Sequence, residues 1–271
     1  MNEQECQAGI VRALCGGEGF PHAVDDVEMI ETHISWVFLA GEYAYKMKKA
    51  IRLNFLDFTG LERRHRMCEI ELELNRPRAP ELYLDVLAVT GECSAPSVGG
   101  EGEAIEYLLR MRRFPQSARL DRELEAGLLS IDDMRGLAVS VAALHEQAAA
   151  VEFVSAEDAL RRVRKPINDN YPHVERVAAA DELDRVRRWT DAQLERLGGL
   201  LVSRHRDGHV RDCHGDLHLA NLVRLDDRIA AFDCIEFEPE LREIDTVSDV
   251  SFLVMDLLSR RRPDLAYVFL N

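Results

Sequence analysis

An α+β chain in two lobes, the first β-rich and the second helical, is what the sequence predicts. Three observations carry that prediction. Residues 1–107 hold short apolar runs of strand length separated by turn residues. Residues 108–271 hold longer runs with apolar positions three and four apart. With 46% hydrophobic residues in 271, the chain can bury a large core and is not intrinsically disordered.

The elements follow in order. Gln4–Leu14 carries Ile10, Val11 and Leu14 at helical spacing and stops at Gly16-Gly17. Val27–Ile30, Ser35–Ala40 and Tyr43–Met47 read as strands, the last two joined by a hairpin turn at Gly41-Glu42. Leu61–Asn75 is charged and helix-favouring, and Pro77 and Pro80 bar its continuation. Leu82–Val89 and Ile105–Met111 return to strand character, with a glycine-rich loop over 91–102 between them. Past the connection at Tyr107–Phe114, Ile131, Met134, Leu137, Ala138, Val141 and Leu144 mark an amphipathic helix. Leu183, Val186, Trp189, Leu194 and Leu197 mark another, and the polar stretch Arg161–Tyr171, interrupted by Pro166, reads as a mobile connection. Leu222–Leu225 and Arg228–Phe232 form a hairpin around Asp226-Asp227, and Thr246–Leu258 is a helix.

Charge and cysteine usage narrow the function classes. Lys and Arg total 34 against 49 Asp and Glu, a net charge of −15. Such a surface repels nucleic acid and anionic membrane. No 18-residue apolar stretch and no signal-peptide pattern occur. Six scattered cysteines without a CxxC pair suit reduced thiols in a cytoplasmic protein.

The densest polar cluster is His214-Gly215-Asp216-Leu217-His218-Leu219-Ala220-Asn221, followed by Asp233. In a hairpin turning at Asp226-Asp227, Asn221 and Asp233 stand equally far either side of Asp227 and face each other at its open end. An amide oxygen beside a carboxylate suits Mg²⁺, and a second carboxylate, Asp216, suits a proton acceptor. A base, a metal amide and a metal carboxylate in that order are the parts phosphoryl transfer needs.

The segment His214–Asn221 resembles the HGDxHxxN catalytic loop of the aminoglycoside phosphotransferase family, which shares the protein-kinase-like fold with choline and fructosamine kinases. Ala231-Phe232-Asp233 resembles that family's metal-binding strand end. The likeness extends over Thr32–Leu39, Tyr45–Lys49, Asn54–Phe58 and Arg242–Asp245, and is greatest to a bacterial subgroup of unknown substrate often fused to a C-terminal P-loop kinase-like domain. The resemblance implies a small-molecule kinase using ATP and Mg²⁺, with Asp216 as catalytic base and Asn221 and Asp233 holding the metal. Lys46 would contact the ATP phosphates, supported by Glu69 or Glu71. Lys48, on the same strand face, competes with Lys46 for that role. Adenine recognition would fall to backbone groups over Arg110–Arg113, Met111 among them.

Some assignments stay open. No GxGxxG lies between the first strands, so Thr32 and Ser35 either cover the phosphates with their hydroxyls or belong to an ordinary turn. His205, His209, His214, His218 and Cys213 suggest zinc, but they span a loop, a strand and the catalytic loop, which is poor zinc spacing; His214 is expected to brace the loop. Asp245 and Asp249 either support the catalytic loop or face a cationic substrate. Glu236, Glu238 and Glu240 either favour a cationic acceptor or form a solvated loop. A catalytically silent nucleotide-binding module is the alternative function. The apolar stripe Val247, Val250, Leu253, Val254 and Leu257, with Tyr267, Phe269 and Leu270, leads to the expectation that the chain continues past Asn271.

Overall fold

The computed structural model describes residues 2–53 and 56–271. Asn54 and Phe55 of the family-like Asn54–Phe58 stretch lie outside the described residues. Two compact units are present, one reaching to Leu129 and including Leu219–Glu238, the other formed by Ser130–His218 and Pro239–Asn271. The sequence places the division at residues 107 and 108. The first unit extends further because its last sheet strand continues to Arg112. Beyond that strand, Arg119 bridges to Val223 and Arg224 holds Glu123 at 2.7 Å, which keeps residues up to 129 with the 222–231 hairpin.

In the first unit, α1 (Glu3–Cys15) starts at Asn2, whose side chain accepts the Glu5 N–H while Glu5 accepts the Asn2 N–H. The strands β1 (Val27–Glu31), β2 (Ser35–Ala40) and β3 (Tyr43–Lys48) form a meander. Two short strands, β4 (Arg52–Leu53) and β5 (Leu56–Asp57), pair before α2 (Leu61–Asn75). Then come β6 (Tyr83–Glu92), β7 (Ala95–Val98), β8 (Glu106–Arg112) and the short helix α3 (Leu120–Glu125). The antiparallel sheet has the order β1-β2-β3-β8-β6-β7. The expected loop over 91–102 thus contains a strand. Gly91 makes the hairpin at φ +86, where a Cβ would meet the Ala95 carbonyl at 2.8 Å.

Strand alternation divides the core. Phe38, Tyr45, Met47, Val89 and Leu108 pack with Ile10 and Leu14 of α1 on one sheet face. Leu39, Ala44, Leu109 and Met111 point to the other face and pack with Val223 and Ala230. Lys46 and Lys48 share the parity of Ala44 and therefore the face of the second cluster.

The structure corrects the expectation of reduced thiols throughout. Cys6 of α1 and Cys93 of the β6–β7 turn form a disulfide with Cα atoms 5.1 Å apart. Helix and turn meet closely, since a Cβ on Gly9 would lie 2.7 Å from the Cys93 carbonyl oxygen. The partners are 87 residues apart, so spacing along the chain gives no sign of the pairing. Cys15, Cys68, Cys213 and Cys234 remain thiols.

The second unit contains α4 (Ile131–Gln147), α5 (Ala156–Val174), α6 (Ala180–Arg206) and β9 (Val210–Asp212). The hairpin strands β10 (Leu222–Leu225) and β11 (Arg228–Ala231) belong to the first unit. The chain then returns to the second unit with β12 (Glu243–Asp245), which pairs antiparallel to β9, and with α7 (Thr246–Ser259) and α8 (Pro263–Leu270). Arg161–Tyr171, expected as a mobile connection, lies inside α5. Ser155 caps that helix, and Asp158 pairs with Arg161 and Arg162 along it, so it forms despite Pro166 and Pro172. The end of the chain covers part of its own apolar stripe. Helix α8 packs against α4 and α7, burying Leu265, Ala266 and Phe269 while Leu253 and Leu257 of α7 are fully buried. Among the described residues, no helix is long and apolar enough to cross a membrane.

Candidate active site

The site in the first unit grows from a polar face of α2. Arg64, Cys68, Glu71 and Asn75 recur at steps of four, three and four and are the buried residues of that helix. Glu71 is wholly buried, and its two oxygens receive two lysines, Lys46 Nζ on Oε1 and Lys48 Nζ on Oε2, each at 2.7 Å. Lys46 also reaches Asp233 Oδ1 at 2.5 Å, and Lys48 pairs with Glu236. Burial works against the Lys46 ammonium, but Asp233, Glu71 and Glu236 outweigh it and hold its pKa well above the lysine range. Three carboxylates face two ammonium groups here. Burial, with Glu71 and Asp233 nearby, accordingly raises the pKa of Glu236 against the pull of both lysines.

The hairpin β10–β11 delivers Asp233. Its register pairs Leu222 with Ala231, so Asn221 stands opposite Phe232, and the Phe232 N–H donates to the Asn221 carbonyl at 3.0 Å. Asp233 lies one residue beyond the position expected from a turn centred on Asp227, because the turn is centred between Asp226 and Asp227. Asp226 takes a left-handed φ of +48 to make it. Asp233 is left-handed too, at φ +62. Its N–H donates to the Tyr83 hydroxyl at 2.9 Å, and the next N–H, of Cys234, donates to Asn75 Oδ1 at 2.9 Å. The Asn75 amide in turn donates to the Glu71 carbonyl at 2.8 Å, which ties the bend to α2.

The remaining residues expected at this site separate clearly. Glu69 points to solvent and meets Arg66 and His65, away from Lys46. The Thr32 hydroxyl donates to the Ser35 carbonyl and accepts the Ser35 N–H, closing the β1–β2 turn locally. Ser35 is fully buried, and its hydroxyl has no hydrogen-bond partner among the described residues. Met111 is buried within the second core cluster. The backbone over Arg110–Arg113 is not a free connection. Tyr45 and Asp85 flank Arg110 across the sheet, and the Arg112 and Arg113 N–H groups donate to Leu82 and Glu42.

In the second unit, Asp216 sits in the loop after β9 and is partly exposed, with His218 Nε2 3.4 Å from its Oδ2. The loop is fastened from behind by Asp249 of α7. Asp249 accepts the Gly215 N–H at 2.9 Å and the His214 N–H at 3.4 Å, and lies 2.8 Å from His145 Nε2. Burial opposes the Asp249 charge, but His145, His214 and the Gly215 N–H prevail and lower its pKa. His214 Nδ1 accepts the Asp216 N–H at 3.3 Å, the bracing role expected of it. Gly215 has φ +84, and a Cβ there would meet the Leu241 carbonyl at 2.8 Å. Asp245 is the N-cap of α7 and pairs with Arg204. Among the described residues, the one group with metal-ligand proximity is His145, Cys213 and Asp249, and its His–Asp contact is the brace just described.

Sequence reading missed Asn75, Tyr83, Arg64, Glu106 and Gln7. The last three form a buried cluster next to Lys48, with Arg64 Nε 3.0 Å from Glu106 and the Gln7 amide donating to Glu106 and to the Lys48 carbonyl. Once α2 is seen to turn Cys68 inward, the helical period explains why Glu71 and not Glu69 meets the lysines. Cys68 marks the inner face of α2, and Glu71 lies three residues further on that face, whereas Glu69 follows it by one residue, 100° around the helix.

No family model matches the chain. It is 32% identical over 256 residues to an uncharacterised protein of Mycobacterium tuberculosis, covering 92% of this chain and 50% of the relative. The chain thus spans about half the length of the curated relatives it matches. Among solved structures, a choline kinase from Cryptosporidium parvum aligns at TM-score 0.52 and 14% identity, over 85% of this chain and 62% of that one. A choline/ethanolamine kinase family protein from Mesorhizobium loti aligns at TM-score 0.51 and 13% identity, over 98% of this chain and 74% of that one. An aminoglycoside phosphotransferase aligns at TM-score 0.46. At these levels of identity the shared property is the fold, and this chain has the two-lobed protein-kinase-like fold of the choline kinases.

Proposed function

We propose that the chain is an ATP- and Mg²⁺-dependent phosphotransferase of the aminoglycoside-phosphotransferase-like kind, acting on a hydroxyl of a small molecule. The observation that carries this reading is Lys46 held between Glu71 and Asp233 at 2.7 and 2.5 Å. A phosphate-binding lysine supported by a helix glutamate, beside a metal-binding aspartate, is the constellation of kinase-like phosphoryl transfer.

The donor set fits Mg²⁺. Asn221 and Asp233 offer an amide oxygen and a carboxylate, both hard ligands, on a hairpin whose register puts them one step apart. Asn221 and Asp233 would hold the ion, which when bound would supply positive charge to offset the charge that develops on the phosphates. Lys46 would position those phosphates. Asp216 would take the acceptor's hydroxyl proton as the acceptor oxygen bonds to the γ-phosphorus and the bond to the β-phosphate oxygen breaks, releasing ADP. Two of the carboxylates weighed as signs of a cationic acceptor are already matched, Glu236 by Lys48 and Glu240 by Arg161 and Lys165. The acceptor's charge therefore has no support from them.

The test is ADP formation from ATP across a panel of hydroxyl-bearing metabolites, with Asp216→Asn as control. Turnover should fall by ~10²–10⁴ in the variant while calorimetric nucleotide binding is kept. Wild-type turnover by Asp216→Asn, or no binding of Mg²⁺–ATP by the parent, would sink the proposal.

A further inference from the structure

The second unit has a cavity of about 480 Å³ between α5, α6, β12 and α7, a volume typical of small-molecule sites. Val163, Ile167, Leu197, Leu201, Ile244 and Phe252 are among the residues that line it, and none of the catalytic-loop residues 213–218 does. It is separated from that loop by the backbone of the segment around Leu241. The carbonyl of Leu241 packs against Gly215, and the same residue lines the cavity.

Two features say what chemistry the cavity accepts. The first is its charge balance. Arg162 is held by Asp158 and Glu243, Arg204 by Asp245, and Glu240 by Arg161 and Lys165. Every charge named on its wall is met by an opposite one, so a charged ligand would be desolvated without a partner. The second is His205 in the last turn of α6. It lines the cavity and is only 2% exposed, and its Nε2 has no hydrogen-bond partner among the described residues. Phe153 packs edge-on against its ring, centroids 5.3 Å apart, and helps fix its orientation. A buried polar atom without a partner is uncommon and costly, and a ligand group is one way to satisfy it.

We infer that this cavity is a second ligand site, apart from the phosphotransfer residues, for an uncharged and mainly apolar small molecule with one hydrogen-bonding group directed at His205 Nε2. The apolar body is recognised by the aliphatic walls of α5 and α6. The single polar group sets its orientation, and the paired rim excludes ions.

Binding of 4-butylphenol and of butylbenzene to the full chain, followed through ¹³C-labelled Leu, Ile and Val methyl groups, tests the inference independently of any kinase activity. Both probes should bind saturably, with shifts confined to Val163, Ile167, Leu197, Leu201 and Ile244. His205→Phe should weaken the phenol by roughly fivefold, the effect of one net hydrogen bond, and leave the hydrocarbon unchanged. His205→Gln, which keeps a hydrogen-bonding group, should restore most of the difference. Leu201→Trp, which fills the cavity from the other wall, should abolish both. Shifts scattered over the surface, no saturation, or equal responses of the two probes to His205→Phe would overturn the site. Equal responses would mean that water alone satisfies His205.

Discussion

Glu71 is shared by two lysines, with Lys46 Nζ and Lys48 Nζ each 2.7 Å from a different one of its oxygens. The two cations differ in their second partners. Lys46 continues to Asp233, whose side chain is 44% exposed, whereas Lys48 continues to Glu236, which is almost wholly buried. Lys48 is thus the interior structural cation, and Lys46 is the one whose other partner can be reached from solvent.

That difference predicts opposite phenotypes. Lys48→Met strips Glu236 of its close cation in the interior, and breaking a buried pair in this way costs about 3–5 kcal/mol. Lys46→Met leaves Glu71 with Lys48 and an Asp233 that water can reach, so it should cost less than half as much. Nucleotide affinity should show the reverse order. Urea denaturation of both variants, beside calorimetry with Mg²⁺–ATP on whichever remain folded, checks the pair. Equal destabilisation would remove the distinction.

Gly215→Ala is expected to destabilise by about 1–3 kcal/mol, since it combines a left-handed φ with a close contact to the Leu241 carbonyl. The loop carries Asp216, so turnover should fall by more than the loss of folded protein accounts for. Activity per folded molecule, measured below the melting transition, separates the two effects. Gly208, also left-handed at φ +79 but with open space around it, provides the control: Gly208→Ala should lower the melting temperature without changing that activity.

Asp249 gives a pH dependence of known sign. Its folded pKa lies below the ordinary aspartate value. The stability it contributes is therefore fully present above that ordinary value, about 4, and is lost as pH falls through the folded value. Asp249→Asn should lower stability at pH 7 and flatten the acid limb of the stability–pH curve below about pH 4. Unfolding free energies from pH 2.5 to 7 decide it, and parallel curves for variant and parent would refute the assignment.

The Cys6–Cys93 disulfide closes a loop of 87 residues. Disulfides typically contribute about 2–4 kcal/mol, in the chain-entropy view by restricting the unfolded chain. Reduction, or a Cys6→Ser and Cys93→Ser double variant, should lower the melting temperature by several degrees. Methyl spectra of the second unit should stay unchanged, because both cysteines lie in the first. An unaltered melting point under reducing conditions would count against a stabilising bridge.

Local pattern made most elements legible in the sequence. β2 and α2 run over the residues their apolar spacing and flanking breakers predict, and β10–β11 turns at Asp226-Asp227 as the two-run pattern requires. The HGDLHLAN loop and Asp233 were legible as candidate site residues, because residue type and order along the chain mark them out. What the chain order could not decide were relations between distant segments. The choice of Glu71 over Glu69 depends on which side of α2 faces β3. Burial of Lys48 depends on Glu236, 188 residues away. The disulfide depends on α1 lying against the β6–β7 turn. The fate of the terminal stripe depends on α8 folding back across α7 and α4. Helix and strand periodicities report which residues share a face. Only packing determines what that face meets, because burial energies of charged and apolar groups are set by neighbours brought together from the whole chain.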